Sequence, residues 1–459
     1  MDIKATIFLR NRSRIALALL FFSFMFAQLT VLRLGNQAGR GYLAEEWQRL
    51  VYCFIQFAVI GGYFLHFLAR KFLKRGFRTL LLTVLSLVFV CASILLFAPE
   101  DSAFYLAVTA LCVLLLGFVC GAVYDLMSAL SGEIDRPGIC ISLGYACAVA
   151  LQYLIQLQFT LKPLIAVFLA ASCFAMVVFF IPPREESVRE QFSGKSALQP
   201  MKIVCASLIT FSLLVFVNYY NTYIHNLQIA SGYADYNVYS WPRLLMIPGI
   251  ILFGVVGDIR GGRFLPISAL CTGVISILNV LLAGSDLNVL NMCLYYFSLS
   301  AAVAYYHLTF LRLAAGTRNQ ALWAGFGRIL DSFVVVISIL LGFSDLSPVA
   351  VISVDIASLV VIIVMMAVGG DFNLTAPAAE ECLPVSSGVP LPALKERFGL
   401  TPSEMRVLHE LVTTDDKQEA IAMRLDISVS TMRHHITSIY KKTGTQTRVA
   451  LCKLVSGDK

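Results

Sequence analysis

Apolar residues along the first 370 positions come in blocks of about 20, broken by short polar connections. The blocks fall near residues 14–34, 48–69, 77–98, 103–128, 138–158 and 163–182, then 201–222, 239–258, 264–283, 288–311, 322–343 and 348–369. A helix of ~20 residues crosses a ~30 Å hydrocarbon layer, so the pattern predicts twelve membrane-spanning helices in two sets of six. Between the sets, the stretch from Pro183 to Pro200 holds Arg184, Glu185, Glu186, Arg189, Glu190 and Lys195, which cannot lie in lipid.

After Gly370 the pattern stops. Residues 371–397 carry Pro377, Pro384, Pro390 and Pro392 among Ala, Ser and Gly, without hydrophobic periodicity. They read as a flexible or extended tether reaching roughly 25–30 Å.

From Leu400 a helical period begins. Thr401 with Glu404 makes a capping box, Pro402 suits the first helical position, and Leu400 with Met405 makes a hydrophobic staple. The first helix turns Val407, Leu408 and Leu411 to one face and stops in the polar run from Thr413 to Asp416. A second covers about Lys417 to Leu425, with Ala420, Ile421 and Leu425 inward, and Asp426-Ile427-Ser428 forms a turn. A third runs from Val429 to Lys442, capped by Ser428 or Ser430 and stopped at Gly444. Two helices joined by a tight turn, the second amphipathic and basic, form a helix-turn-helix. On that second helix Met432, Ile436 and Ile439 share the inward face, and Ser430, Arg433, His434, Thr437 and Lys441 share the opposite one. Between Asp426 and Asp458 there is no acid, which argues against a merely solvated face.

The predicted fold class is therefore all-α: a polytopic membrane protein with a small C-terminal helical domain. Its segments are 1–182, the first six-helix half; 183–200, a cytoplasmic central loop; 201–370, the second half; 371–397, the linker; and 398–459, the DNA-binding domain. Composition agrees, since 58% of residues are hydrophobic and only 14% charged. A soluble chain carries about 25% charge. Twelve cysteines lie singly in apolar runs with no C-x-x-C, so no disulfide framework, zinc site or other cofactor is expected. The basic start, from Met1 to Arg14, leads into an apolar run without a small-residue cleavage motif and reads as a first span.

Charge on the connections predicts the topology. One side carries Lys4, Arg10, Arg12 and Arg14, the cluster from Arg70 to Arg78, Arg136, the central loop's basic residues, Arg260, Arg263, Arg312 and Arg318. The other holds only Arg33, Arg40, Arg49, Lys162 and Arg243. Cytoplasmic loops hold the Lys and Arg excess, which puts both termini in the cytoplasm.

Ionisable groups inside spans are functional candidates because their insertion costs at least ~2.5 kcal/mol. Asp125, Arg328, Asp331 and Asp355 qualify, with His307 as a further case. Arg328 and Asp331 stand three apart, so they are either a self-neutralising intrahelical pair or a ligand contact. Asp125 reads as snorkelling to the interface. Tyr219, Tyr220, Tyr223, His225, Tyr233, Tyr236, Tyr239 and Trp241 cluster at the outer ends of two spans, either as an interfacial belt or as a lid over an aromatic ligand. The sensing candidates are Arg328, Asp331, Asp355, Tyr223 and Trp241.

One cytoplasmic connection reads Gly254-Val-Val-Gly257-Asp258-Ile-Arg260-Gly261-Gly262-Arg263, and its counterpart in the first half runs from Leu68 to Gly76. This run resembles the loop motif of the major facilitator superfamily, and two sets of six spans resemble that fold. The resemblance implies that the glycines allow close helix approach and that the Asp and Arg tie the two ends together. At the other end, L-T-P-S-E-x-x-V-L (Leu400 to Leu408), I-A-x-x-L-D-I-S-x-S-T-M-R-x-H-I (Ile421 to Ile436) and Ile439-Tyr-Lys-Lys-Thr-Gly444 resemble the LuxR-type helix-turn-helix of bacterial transcription regulators. That resemblance implies base-edge contacts for Arg433, His434 and Thr437, phosphate contacts for Ser430, Thr431 and Lys441, and dimerisation through a fourth helix, Thr447 to Val455, on which Val449, Ala450, Leu454 and Val455 offer an apolar surface.

The expected function is a membrane-bound one-component transcription regulator of the bacterial inner membrane, not an enzyme. It senses a small molecule through the facilitator-like domain and binds double-stranded DNA at an inverted-repeat operator as a homodimer. The alternative is a secondary transporter of a small organic solute with a regulatory DNA-binding tail.

Overall fold

A computed structural model describes residues 3–42, 45–96, 102–131, 134, 136–157, 162–180, 198–230, 240–283, 288–315, 317, 319–342, 347–369, 394, 398–413, 418–445, 451, 454 and 455. The expected tether, apart from Leu394, and residues 183–197 of the central loop lie outside them, as do Tyr233, Tyr236 and Tyr239. Every element among the described residues is helical, and the chain divides into two compact units, Met1–Ala376 and Pro377–Lys459.

The larger unit contains α1 (Ile3–Tyr42), α2 (Glu45–Phe72), α3 (Arg75–Leu95), α4 (Ser102–Ser131), α5 (Pro137–Leu157) and α6 (Lys162–Phe180). It continues with α7 (Leu198–Ala230), α8 (Met246–Asp258), α9 (Leu265–Ala283), α10 (Asn288–Ala315), α11 (Gln320–Trp323), α12 (Phe326–Leu340) and α13 (Pro348–Gly369). A 3-10 turn, Trp241–Leu245, leads into α8, with Pro242 in its first positions. Among the described residues, eight helices are long and apolar enough to cross a membrane, and the shorter runs Leu164–Val178, Leu265–Ile275 and Ile352–Ala367 are also apolar. The span expected at 322–343 is a rod broken between α11 and α12, and the 15 residues of α12 fall short of a full crossing by themselves.

Packing in this unit repeats when each of the first six helices is matched to the rod six places later, α11 with α12 counting as one rod. The pairs α1–α5, α1–α6, α2–α4, α3–α4 and α1–α4 recur as α7–α12, α7–α13, α8–α10, α9–α10 and α7–α10. Between the halves, α5–α8 recurs as α2–α12. Burial follows this plan: 72% of the apolar window of α4 is buried, against 22% for the peripheral α3, whose Phe77, Leu80 and Leu87 point outward. An outward apolar face cannot be satisfied by water.

The smaller unit contains α14 (Pro402–Thr413), α15 (Gln418–Arg424) and α16 (Val429–Thr443). They close over a core of Leu400, Val407, Leu411, Ile421, Met432 and Ile439, joined by Leu394, Leu451 and Val455.

Candidate nucleic-acid interface and buried polar cluster

The start of α14 has the reciprocal geometry of a capping box. Thr401 N donates to Glu404 Oε2 at 2.7 Å, and Glu404 N donates to Thr401 Oγ1 at 3.3 Å. The Glu404 carboxylate also reaches α16, accepting from Ser438 Oγ at 2.6 Å and Lys442 Nζ at 2.7 Å. Burial pushes this carboxyl up, but the hydrogen bonds from Lys442, Ser438 and Thr401 outweigh it and hold it at about 2. α15 ends on Asp426, in the left-handed region at φ 55, while Ile427 N donates to Ala422 O at 3.0 Å. This is a Schellman-type stop with an acid where glycine is usual. Ser428, one of the two candidate caps, holds the start of α16 by accepting from Thr431 N at 3.0 Å. Gly444 ends the helix at φ 70.

Met432, Ile436 and Ile439 of α16 are buried, and Arg433, His434, Thr437 and Lys441 are exposed on its outer face. Thr431 is exposed too, but its hydroxyl lies 2.8 Å from Ser428 Oγ and serves the helix start. Thr437 Oγ1 donates back to Arg433 O at 2.9 Å. The Ser430 side chain lies outside the described residues. Adjacent lysines have divided tasks: Lys442 bonds Gly399 O and Glu404, and Lys441 stays on the outer face. Only the tertiary contact reveals this division.

The fourth-helix surface needs correction. Val455 is 3% exposed within the domain's own core, together with Leu451, so it is not part of an exposed apolar surface. Leu454 is half-buried, and Val449 and Ala450 lie outside the described residues.

In the larger unit Arg328 and Asp331 form an ion pair on α12. The Gln28 amide of α1, with its oxygen turned to the guanidinium, accepts from Arg328 Nε and Nη2, each at 3.1 Å. Burial of Arg328 is thus matched by two partners, one from the other half of the unit. His307 of α10 lies 2.7 Å through Nδ1 from Tyr124 OH of α4. Its ring packs against Phe21, Tyr145 and Tyr306 at centroid distances of 5.1, 6.2 and 4.3 Å. His307 Nε2 has no hydrogen-bond partner among the described residues. Tyr63 of α2 marks the α11–α12 break: its hydroxyl accepts from Gly325 N and lies at hydrogen-bond distance from Ala321 O and Leu322 O, all at 2.9 Å. No periodicity flags Tyr63, Tyr124 or Gln28, although a glutamine within the first apolar block was a visible signal.

The other sensing candidates are not brought to Arg328. Asp355 is 3% exposed on α13, which packs against α7 and α9. Trp241 is exposed in the 3-10 turn, whereas its neighbour Arg243 is buried. The side chain of Tyr223, like those of Tyr219, Tyr220 and His225, lies outside the described residues. Asp125 pairs with Arg70 of α2 instead of reaching alone for the interface.

The glycine-rich connection fastens the halves together. Asp258 accepts from Gly138 N at 2.7 Å and Ile139 N at 2.9 Å, the free amides at the start of α5. A Cβ on Gly254 would stand 1.9 Å from Ser142 Oγ, so only glycine admits this α5–α8 crossing. The arginine that pairs with Asp258 is Arg312 of α10, at 3.1 Å, which also donates to Gly257 O at 2.7 Å. Arg260 and Arg263 are exposed, Gly261 and Gly262 are buried, and Gly262 has φ 84 beside the Arg312 guanidinium. The expected tie through the motif's own arginines is thus replaced by one from α10. In the first half the polarity is reversed, with Arg70 on α2 and Asp125 on α4.

Residues 399–455 match the family model of bacterial regulatory proteins, luxR family. These residues form a LuxR-family helix-turn-helix, a DNA-binding regulator domain. No curated protein matches the chain.

Proposed function

We propose that the protein is a membrane-bound one-component transcription regulator, with twelve spans in the bacterial inner membrane and both termini in the cytoplasm. The observation that carries this reading is the pairing of a LuxR-family domain, with Arg433, His434, Thr437 and Lys441 exposed on one helix, with a long apolar unit in the same chain. Arg433, His434 and Thr437 read base edges, and Lys441, with Ser430 and Thr431, binds phosphates. One domain of this size reads few base pairs, so two copies bind an inverted repeat as a homodimer.

The larger unit is read as a facilitator-like sensor. Its support is the repeated packing of the two halves, the Asp258 tie across the α5–α8 crossing, and the buried Arg328–Asp331 cluster at the junction of the halves. A small-molecule ligand meets Arg328, Asp331 and the surrounding Tyr and His side chains. It acts by changing how membrane units pair, and so the effective concentration of one DNA-binding domain for another across the tether.

The broken α11–α12 rod beside Tyr63 favours a second reading, a secondary transporter with a regulatory tail, because discontinuous helices line transport sites. Proteoliposome uptake beside ligand binding separates the two. A sensor binds without accumulating solute, and a transporter accumulates it.

A further inference from the structure

Arg260 is held at φ 44 and is followed by Gly261 at φ 70 and Gly262 at φ 84, so an arginine stands in a run of left-handed positions that suits glycine. Its side chain is exposed and makes no hydrogen bond or ion pair among the described residues. No packing within the unit accounts for that conformation, and strain of this kind clusters where a residue acts on something else. The charge also has company, since Arg12, Lys71 and Lys74 are exposed too. Contacts through the unit put all four at one end of it. Arg70 pairs with Asp125 and joins the ends of α2 and α4, Ser128 Oγ of α4 donates to Leu311 O of α10 at 3.1 Å, and Arg312 of α10 reaches Asp258. Asp258 in turn accepts from Gly138 N at the start of α5. α1 runs alongside α5, with Ala18 O against Gly144 and with Thr30 and Gln152 lining one recess, so Arg12 lies near the start of α5. No acid occurs in residues 4–14, 70–78 or 259–264. Asp125 and Asp258, the acids described at this end, are each paired with an arginine, and Glu133 and Asp135 lie outside the described residues.

A polyanion is the partner that such a surface fits, and the chain itself brings one. We infer that Arg12, Lys71, Lys74 and Arg260 bind the phosphate backbone of the duplex that the LuxR-family domain holds. This inference rests on the reading of the chain as a membrane-bound regulator with both termini in the cytoplasm. The tether expected at residues 371–397 reaches roughly 25–30 Å, so DNA bound by the domain is present at high effective concentration beside the basic end. A duplex carries one charge per ~1.7 Å of its axis and stays nearly straight over ~150 base pairs, so DNA flanking the contacted bases passes close to that end. Contacts to phosphate carry no sequence information. The basic end therefore adds affinity and salt dependence on any duplex, and the outer face of α16 keeps the choice of sequence.

The test uses the full chain in nanodiscs of phosphatidylcholine, which has no net charge, and a long fluorescent duplex of arbitrary sequence, titrated at several salt concentrations. The logarithm of the binding constant falls with the logarithm of salt by about 0.9 for each phosphate neutralised. Per chain bound, the parent's slope should therefore exceed that of Lys71→Gln/Lys74→Gln by about two and that of Arg260→Gly by about one. Arg70, Arg75 and Arg78 remain in the double variant to keep its orientation. Arg260→Gly should melt at or above the parent temperature, because glycine fits the left-handed position, so its weaker binding is not misfolding. Equal slopes in the parent and both variants overturn the inference. Variants that keep the parent's slope but retain less phosphatidylglycerol in native mass spectrometry overturn the DNA assignment in favour of lipid headgroups. An impermeant maleimide applied to intact cells should leave Lys74→Cys unlabelled. Labelling refutes the topology on which the inference rests, which makes the two failures distinguishable.

Discussion

Replacing Glu404 with Gln keeps the shape of the side chain but removes its charge from a point where α14 and α16 meet. The carboxylate is 4% exposed and accepts from Thr401 N, Ser438 Oγ and Lys442 Nζ. A carboxyl held at about 2 instead of its ordinary 4.5 corresponds to about 3 kcal/mol at ~1.4 kcal/mol per factor of ten. Lys442 is one-third exposed, and solvent screening reduces its part, so a loss of about 2 kcal/mol is expected for Glu404→Gln at pH 7. The sign with pH follows from the depressed value. Stability from this group is complete above about 4.5 and is lost as pH falls towards about 2, so parent and variant converge over that interval. Urea titrations of residues 377–459, a compact unit with its own core, measure the difference between pH 7 and pH 3. A gap that stays constant over that range would refute the electrostatic argument, and a gap near zero at pH 7 would refute the assigned role.

Arg433→Ala should cost about 1–3 kcal/mol of DNA affinity and relax choice at one base pair, whereas Lys441→Ala should weaken all sequences alike and lower the salt slope by roughly one. Gel-shift titrations at several salt concentrations distinguish these effects, and equal behaviour of the two variants contradicts the assigned roles. Asp258→Ala leaves two helix-end amides without their acceptor and takes the carboxylate from Arg312, which keeps Gly257 O, so a loss of about 3 kcal/mol is expected in unfolding of the full chain. Arg312→Ala should add little further loss to it in a double-mutant cycle. Arg328→Gln should abolish the ligand response of a reporter while leaving the ligand-free DNA affinity of the full chain unchanged, and normal induction in that variant removes Arg328 from the sensing site.

The features legible in the sequence were those written into neighbouring residues. The Thr401–Glu404 box, the stop at Gly444 and the inward face of Met432, Ile436 and Ile439 all follow from spacings of a few residues. The apolar blocks were legible for the same reason, because lipid asks only for length and hydrophobicity. What escaped depends on how helices cross. Arg312 as the partner of Asp258, Tyr63 at the α11–α12 break, and Lys442 rather than Lys441 beneath Glu404 join residues dozens to hundreds apart. Val455 shows the converse: an apolar residue at the end of the chain suggested an exposed surface, but so small a domain uses it in its own core.

The central claim is that a membrane-held chain binds chosen DNA sites through α16. Chromatin immunoprecipitation from crosslinked membrane fractions, comparing the parent with Arg433→Ala, tests it most directly. The account predicts enrichment at a small set of sites sharing an inverted repeat, and loss of that enrichment in the variant. No enrichment in the parent, or equal enrichment in both, would contradict it.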